Sequence, residues 1–202
     1  MKLYFSPGAC SLSPHIILCE AGLPHTTEKV DLRAKTTASG ADFNAINPKG
    51  YVPALDIGNG VALTEGPAIV QYLADQAPGK HLVAPAGSVE RYQQISWLNF
   101  ISTEVHKNYS PLFNPSLSDE FKAYARGNLR KRYTWLNDEL GQREYLAGSA
   151  FSVADAYLFV VTNWAKMVKL DLSDFPNLQA FQERIGSRPA VQEAMRAEGL
   201  ID

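Results

Sequence analysis

Cys10 stands in the run S-P-G-A-C-S, between a short apolar stretch, Lys2 to Ser6, and a helical period from Ser11 to Ala21 that Gly22 closes. A thiol at the entry of a helix feels the helix dipole and the free N–H groups of the first turn, both of which favour thiolate over thiol. That is the setting of a reactive sulfur. The competing reading is a small buried hydrophobe, which is the reading for Cys19. Pro14 falls in the first turn of the same helix, where proline is tolerated.

A second group lies at Asn47 to Leu55, N-P-K-G-Y-V-P-A-L, followed by T-E-G at Thr64 to Gly66. Pro53 sits where a strand begins or continues, and lacking an N–H it belongs at an edge or tight turn, a cis bond included. The N–H and C=O of Val52 are then free to pair with an extended guest, as sheet edges do with short peptides. Gly66 reads as the cap and Pro67 as the first turn of a helix through Ala68, Ile69, Tyr72 and Leu73. Unpaired N–H groups at such a start attract carboxylates. Each half alone is an ordinary proline turn or an ordinary capped helix; their adjacency points to a peptide site.

The third group is Asn99, Thr103 and His106, which share a face at i, i+4 and i+7 of a helix from Ser88 to about Tyr109. Ile95, Leu98, Ser102 and Val105 form the neighbouring, mainly apolar stripe. The polar row alone could be a solvated face. Beside a thiol it supplies donors, with His106 and Lys107 able to reach a thiolate or carboxylate.

These residues are positioned by a chain that changes character midway. Up to about Gln76 short apolar runs alternate with helical periods, giving strand, helix, strand, helix, strand, strand, helix. The strands after the first are Val30 to Leu32, Val52 to Ile57 and Val61 to Leu63, with Gly58-Asn59-Gly60 as a hairpin turn. Ala77-Pro78-Gly79 and Ala84-Pro85-Ala86-Gly87 break all periodicity. The expected domains are therefore 1–80 and 88–202, with 81–87 as linker. Beyond it the signal is helical: Ser118 to Leu140, Ser152 to about Val168, Pro176 to Ile185 and a last helix from Ala190. Ser152 and Asp155 have capping-box spacing, which assigns them to folding.

At 202 residues and 46% hydrophobic content the chain can bury a substantial core. A net charge of -2 offers no basic stripe, which argues against nucleic acid as a partner. Cys10 and Cys19, if on one helix, stand about 13 Å apart, beyond the roughly 7 Å that a disulfide spans. No secretion signal, membrane-spanning run or metal-ligand set is read, so a cytoplasmic, reducing compartment is expected.

Five motifs in order, S-P-G-A-C-S, N-P-K-G-x-V-P-A-L, L-T-E-G-x-A-I-x-Q-Y-L, W-L-N-F-I-S-T-E-V-H-K and F-S-V-A-D-A-Y-L-F, resemble those of a bacterial beta-class glutathione transferase over essentially the whole chain. The resemblance implies an α/β plus all-α architecture: a thioredoxin-like N-terminal domain and an all-helical C-terminal domain. It also implies a homodimer, with glutathione as a substrate and no cofactor. Cys10 would lie closest to the glutathione sulfur, with Ser11, His106 and the backbone around Cys10 as donors. Ala9, Lys35, Tyr51, Val52, Pro53, Glu65, Gly66, Asn99, Thr103 and Lys107 complete the implied glutathione site. Lys35 would meet the glycyl carboxylate, Val52 the cysteinyl backbone and Glu65 the ammonium group. Glu104 would reach the partner's ligand. Phe5, Ala9, Tyr109, Phe113 and Trp164 would line a pocket for a small apolar electrophile, Phe113 and Trp164 being equally readable as core.

Two departures bear on mechanism. The family usually carries tyrosine at the position of Phe5, and strand alternation sends Tyr4 to the opposite face. Gly66 lacks the hydroxyl that many relatives present to the glutamyl carboxylate. Two alternatives stay open: a thioltransferase or peroxidase that uses Cys10 by a monothiol route, and a non-catalytic glutathione-binding protein.

Overall fold

The structure, a computed structural model, describes residues 1–58 and 60–202. Asn59, the centre of the expected hairpin turn, lies outside the described residues. The chain forms two compact units, Met1–Val83 with Ser187–Asp202, and Ala84–Gly186. The last segment, expected in a domain of 88–202, therefore groups with the first unit.

In that unit β1 (Lys2–Phe5) runs parallel to β2 (Thr26–Asp31) and antiparallel to β4 (Ala54–Asp56). The two-residue β3 (Thr36–Thr37) pairs with β2, and β5 (Ala62–Thr64) pairs with β4, giving the order β3-β2-β1-β4-β5. This is the thioredoxin-like sheet that the resemblance implies. The strands are displaced from their expected bounds: Leu32 lies beyond β2, and β4 starts after Pro53 rather than at Val52. A proline that cannot donate ends the ladder there.

The crossover from β1 to β2 is α1 (Leu12–Ala21), which also packs against α3 (Gly66–Asp75) and α9 (Pro189–Ala197). Covered on nearly all sides, α1 buries Ser13 and His15 along with its aliphatic residues. Such polar groups need partners. Ser13 Oγ donates to Cys10 O at 2.8 Å, and His15 Nδ1 lies 3.0 Å from Glu198 Oε1. The α1 helix ends in a Schellman turn, with Gly22 at φ 65°, Gly22 N–H on Cys19 O and Leu23 N–H on Leu18 O. A single turn, α2 (Phe43–Ile46), precedes the N-P-K-G-Y-V-P loop.

The second unit is all helical: α4 (Val89–Phe100), a π-helical segment Ile101–His106, α5 (Lys107–Phe113), α6 (Asp119–Leu140), α7 (Val153–Met167) and α8 (Pro176–Gly186). Its centre is α7, apolar on all sides and buried from Val153 to Thr162. The Ser152 and Asp155 capping box starts α7, and the Asp155 carboxylate also accepts from Leu146 N at 2.8 Å. Burial nevertheless pushes the Asp155 pKa up to about 6. Among the described residues no helix is long and apolar enough to cross a membrane.

Candidate functional site

Cys10 sits where the chain turns from β1 into α1. Ala9 N–H closes on Ser6 O at 3.0 Å, Gly8 takes a left-handed φ of 69°, and Gly8 N–H donates to Glu198 Oε2 at 3.0 Å. These bonds fix the turn and leave the Cys10 thiol half-buried, donating to Val52 O at 3.3 Å. The reactive sulfur and the expected peptide edge are thus in contact, across a sequence gap of 42 residues. The Val52 carbonyl is not free, as the sequence reading had it, because it accepts the thiol. Among the described residues the Val52 N–H has no acceptor.

Ser11 does not serve as expected. Its hydroxyl is fully buried, accepting from Ser6 N–H at 3.2 Å and donating to Ser6 O at 3.3 Å. It locks the turn and has no proton left to offer a sulfur.

The Val52–Pro53 peptide is cis. Asn47, almost fully buried, donates through Nδ2 to Tyr51 O at 2.7 Å and so holds the loop's shape. On the facing side α3 begins, its first residue Gly66 so near Pro53 that a Cβ built there would meet Pro53 Cγ at 3.9 Å. The cap is Glu65, at φ 70°, rather than Gly66. A left-handed backbone at a side-chain-bearing residue is uncommon and places the Glu65 carboxylate over the loop. There it accepts from Lys49 Nζ at 2.6 Å and Tyr51 Oη at 2.8 Å. The hydrogen bond to Glu65 raises the Tyr51 pKa, since ionising the phenol would set two anions side by side.

Lys35 is also left-handed, at φ 59°, and its Nζ donates to Gly50 O at 2.6 Å. One surface of the first unit therefore gathers Ala9, Cys10, Lys35, Tyr51, Val52, Pro53, Glu65 and Gly66. The sequence reading missed Lys49 and Asn47, although both stand in the loop motif it had singled out.

In the second unit the polar row does not stay on one face. From Ile101 to His106 the helix widens, with Lys107 N–H bonding Ser102 O five residues back, and such a turn takes about an extra residue. Asn99 and Thr103 are exposed, and the Thr103 hydroxyl donates to Asn99 O at 3.1 Å. Glu104 is held in its own chain by Arg132, at 2.5 Å. Lys107 is exposed.

His106 turns inward. Its Nδ1 lies 2.6 Å from Tyr157 Oη, and its ring meets Trp164 edge-on with centroids 4.8 Å apart. Burial, with a smaller contribution from the Lys107 charge, lowers its pKa to about 4. The imidazole is therefore neutral at pH 7. The bond engages Nδ1 of the neutral ring with the Tyr157 hydroxyl. Tyr157 was not anticipated, and no local spacing ties position 157 to position 106.

Three of the expected electrophile-pocket residues are core. Phe5 is buried against His15, Tyr109 is fully buried with its hydroxyl 2.8 Å from that of Tyr133, and Trp164 is enclosed by His106, Tyr109 and Phe113. Phe113 keeps 45% of its surface exposed.

The family model described as Glutathione S-transferase, N-terminal domain, matches residues 8–76, and that described as Glutathione S-transferase, C-terminal domain, matches residues 100–189. The protein named Glutathione S-transferase GstA from Escherichia coli O157:H7 is 48% identical over 200 residues, covering 99% of this chain and 100% of its own length. A solved sphingomonad glutathione S-transferase complexed with glutathione matches at TM-score 0.96 and 47% identity, over 100% of both chains. The beta-class glutathione S-transferase of Sphingomonas chungbukensis matches at TM-score 0.97 and 48% identity, again over 100% of both chains. With both domain models matched in order and near-half identity from end to end, this chain belongs to the glutathione S-transferases, in their bacterial beta class.

Proposed function

We propose that this transferase holds glutathione along the Tyr51–Pro53 edge and conjugates its thiolate to small apolar electrophiles. The observation that carries the reading is the 3.3 Å bond from the Cys10 thiol to Val52 O. A cysteinyl residue pairing with the main chain of Val52 would carry its sulfur past Cys10. On this reading Cys10 turns its S–H from the carbonyl to the ligand sulfur. Glu65 exchanges Lys49 for the ligand's ammonium group, the N–H groups at the start of α3 receive the glutamyl carboxylate, and Lys35 leaves Gly50 O for the glycyl carboxylate.

A thiol of pKa near 8.5 is only about 3% ionised at pH 7. Lowering it by about two units makes it roughly 75% thiolate, which takes about 2.7 kcal/mol of preferential anion stabilisation. Cys10 and the backbone N–H groups at the start of α1 are the donors proposed for that task. The thiol proton leaves to solvent, the sulfur pair forms the new S–C bond, and the electrophile's leaving group departs with its own bonding pair.

A second reading draws on the same thiol. Cys10 could attack a disulfide to form a mixed disulfide and release one thiolate, glutathione then resolving it. Rates of wild type and Cys10→Ala on an aryl halide and on a disulfide separate the two. Conjugation that survives while disulfide exchange is lost assigns Cys10 to redox work. Calorimetry with millimolar glutathione tests the binding itself, and an absence of heat overturns both. A homodimer acting in the cytoplasm, in keeping with two free cysteines, completes the proposal. Sedimentation at micromolar protein tests the dimer.

A further inference from the structure

Cys19, read from sequence as packing, has two histidines beside it. His15 and Cys19 stand one turn apart on the same face of α1, at the i, i+4 spacing that lets two helical side chains share an ion. The Schellman turn at Gly22 then doubles the chain back, so that His25 joins them from the loop before β2. Ligand atoms of the three residues all lie within 4.8 Å of one another. The two imidazoles meet edge to face with centroids 5.6 Å apart. Rings sharing a tetrahedral ion through bonds of about 2 Å have centroids roughly 5 Å apart, so a small rotation of the half-buried His25 closes the gap.

The hydrogen bonds around the cluster prepare it further. His15 Nδ1 is engaged by the Glu198 carboxylate at 3.0 Å and His25 Nδ1 by the Leu23 carbonyl at 2.8 Å. Both partners are acceptors, so both Nδ1 atoms donate, which leaves Nε2 as the atom each ring can offer an ion. A carboxylate or backbone carbonyl behind each imidazole is the arrangement that orients metal-ligating histidines. We propose that His15 Nε2, Cys19 Sγ and His25 Nε2 form a binding site for a thiophilic divalent ion of the zinc type, with a fourth position open.

One thiolate and two imidazoles suit Zn2+ and disfavour the oxygen-seeking Mg2+ and Ca2+. The Glu193 and Glu20 carboxylates act on Cys19 through space. Binding replaces the S–H proton by an S–M bond and releases that proton to solvent. The same carboxylates add negative potential around the ion. Glu198 extends the consequence: one oxygen holds His15 and the other accepts Gly8 N–H, in the turn that carries Cys10. The site is thereby coupled to the proposed catalytic turn without sharing a residue with it.

The test is a Co2+ titration of the full chain followed by Zn2+ competition. The expected result is one equivalent giving thiolate-to-cobalt charge transfer and the intense visible bands of a tetrahedral ion, with about one proton released per ion bound. Cys10→Ala should keep that spectrum and Cys19→Ala should lose it. His25→Gln, a half-buried loop change checked for folding by circular dichroism, should weaken Zn2+ binding about tenfold or more. A spectrum unchanged in Cys19→Ala, one lost instead in Cys10→Ala, or no binding by the wild type overturns the proposal.

Discussion

The hydroxyl of Tyr157 lies 2.6 Å from Nδ1 of His106, joining α7 to the π-helical segment and fixing which imidazole nitrogen faces away from the core. Burial, with a smaller part from the Lys107 charge, keeps His106 neutral, and the first two outcomes concern where protons sit.

The first concerns stability against pH. The pKa of His106 is lowered on folding from 6.5 to about 4, so the unfolded chain binds more protons in that window and stability falls as pH drops through it. Asp155 does the reverse: its pKa rises from 3.8 to about 6, so stability falls as pH increases across that range. Each amounts to about 3 kcal/mol, and they oppose one another. Urea unfolding between pH 4 and 6.5 should therefore give a shallow profile for the wild type. His106→Gln should turn it into a decline toward higher pH, and Asp155→Asn into a rise. Parallel profiles for all three proteins would refute the assignment.

The second concerns the bound substrate. Cys10→Ala should raise the apparent pKa of bound glutathione by about one unit, the worth of one hydrogen bond to an anion. Thiolate absorbance against pH reads this directly, and an unchanged titration removes Cys10 from the proposed chemistry.

Glu65→Gln removes the anion that Lys49 and Tyr51 share. The variant should show a KM for glutathione raised roughly tenfold, given the cost of about 1.5 kcal/mol for losing a charged partner. Its Tyr51 phenol should titrate at lower pH, as seen by ultraviolet difference spectra. A Tyr51 titration that does not move would break the link drawn between the two residues.

Gly66→Ser restores a hydroxyl at the start of α3. Its φ lies outside the left-handed region, and the added Cβ meets only Pro53 Cγ, at ordinary contact distance. The melting temperature should stay within a few degrees of wild type, and the KM for glutathione should fall. A higher KM would show that the small residue is required for approach to the helix start.

Much of this arrangement was legible because it is local. Pro53 before a strand, the Ser152 and Asp155 box, and Gly22 after α1 each announce themselves within a few residues. The strand bounds slipped because pairing, not propensity, decides where β4 and β2 end. The π-helical widening was illegible, since Asn99, Thr103 and His106 fit an α-helical face by spacing alone. Ser11 was misjudged for a related reason: a hydroxyl beside a reactive thiol reads as a donor until its bonds to Ser6 are seen. Tyr157 behind His106 and Arg132 against Glu104 are tertiary pairings that no single segment encodes.

Glu198 stands 190 positions after Gly8, yet it receives Gly8 N–H and backs His15. During synthesis the opening turn must therefore wait until residue 198 has been made before its acceptor arrives. A nascent chain stalled after residue 83 leaves that amide and that imidazole without their carboxylate, whatever the completeness of its five strands.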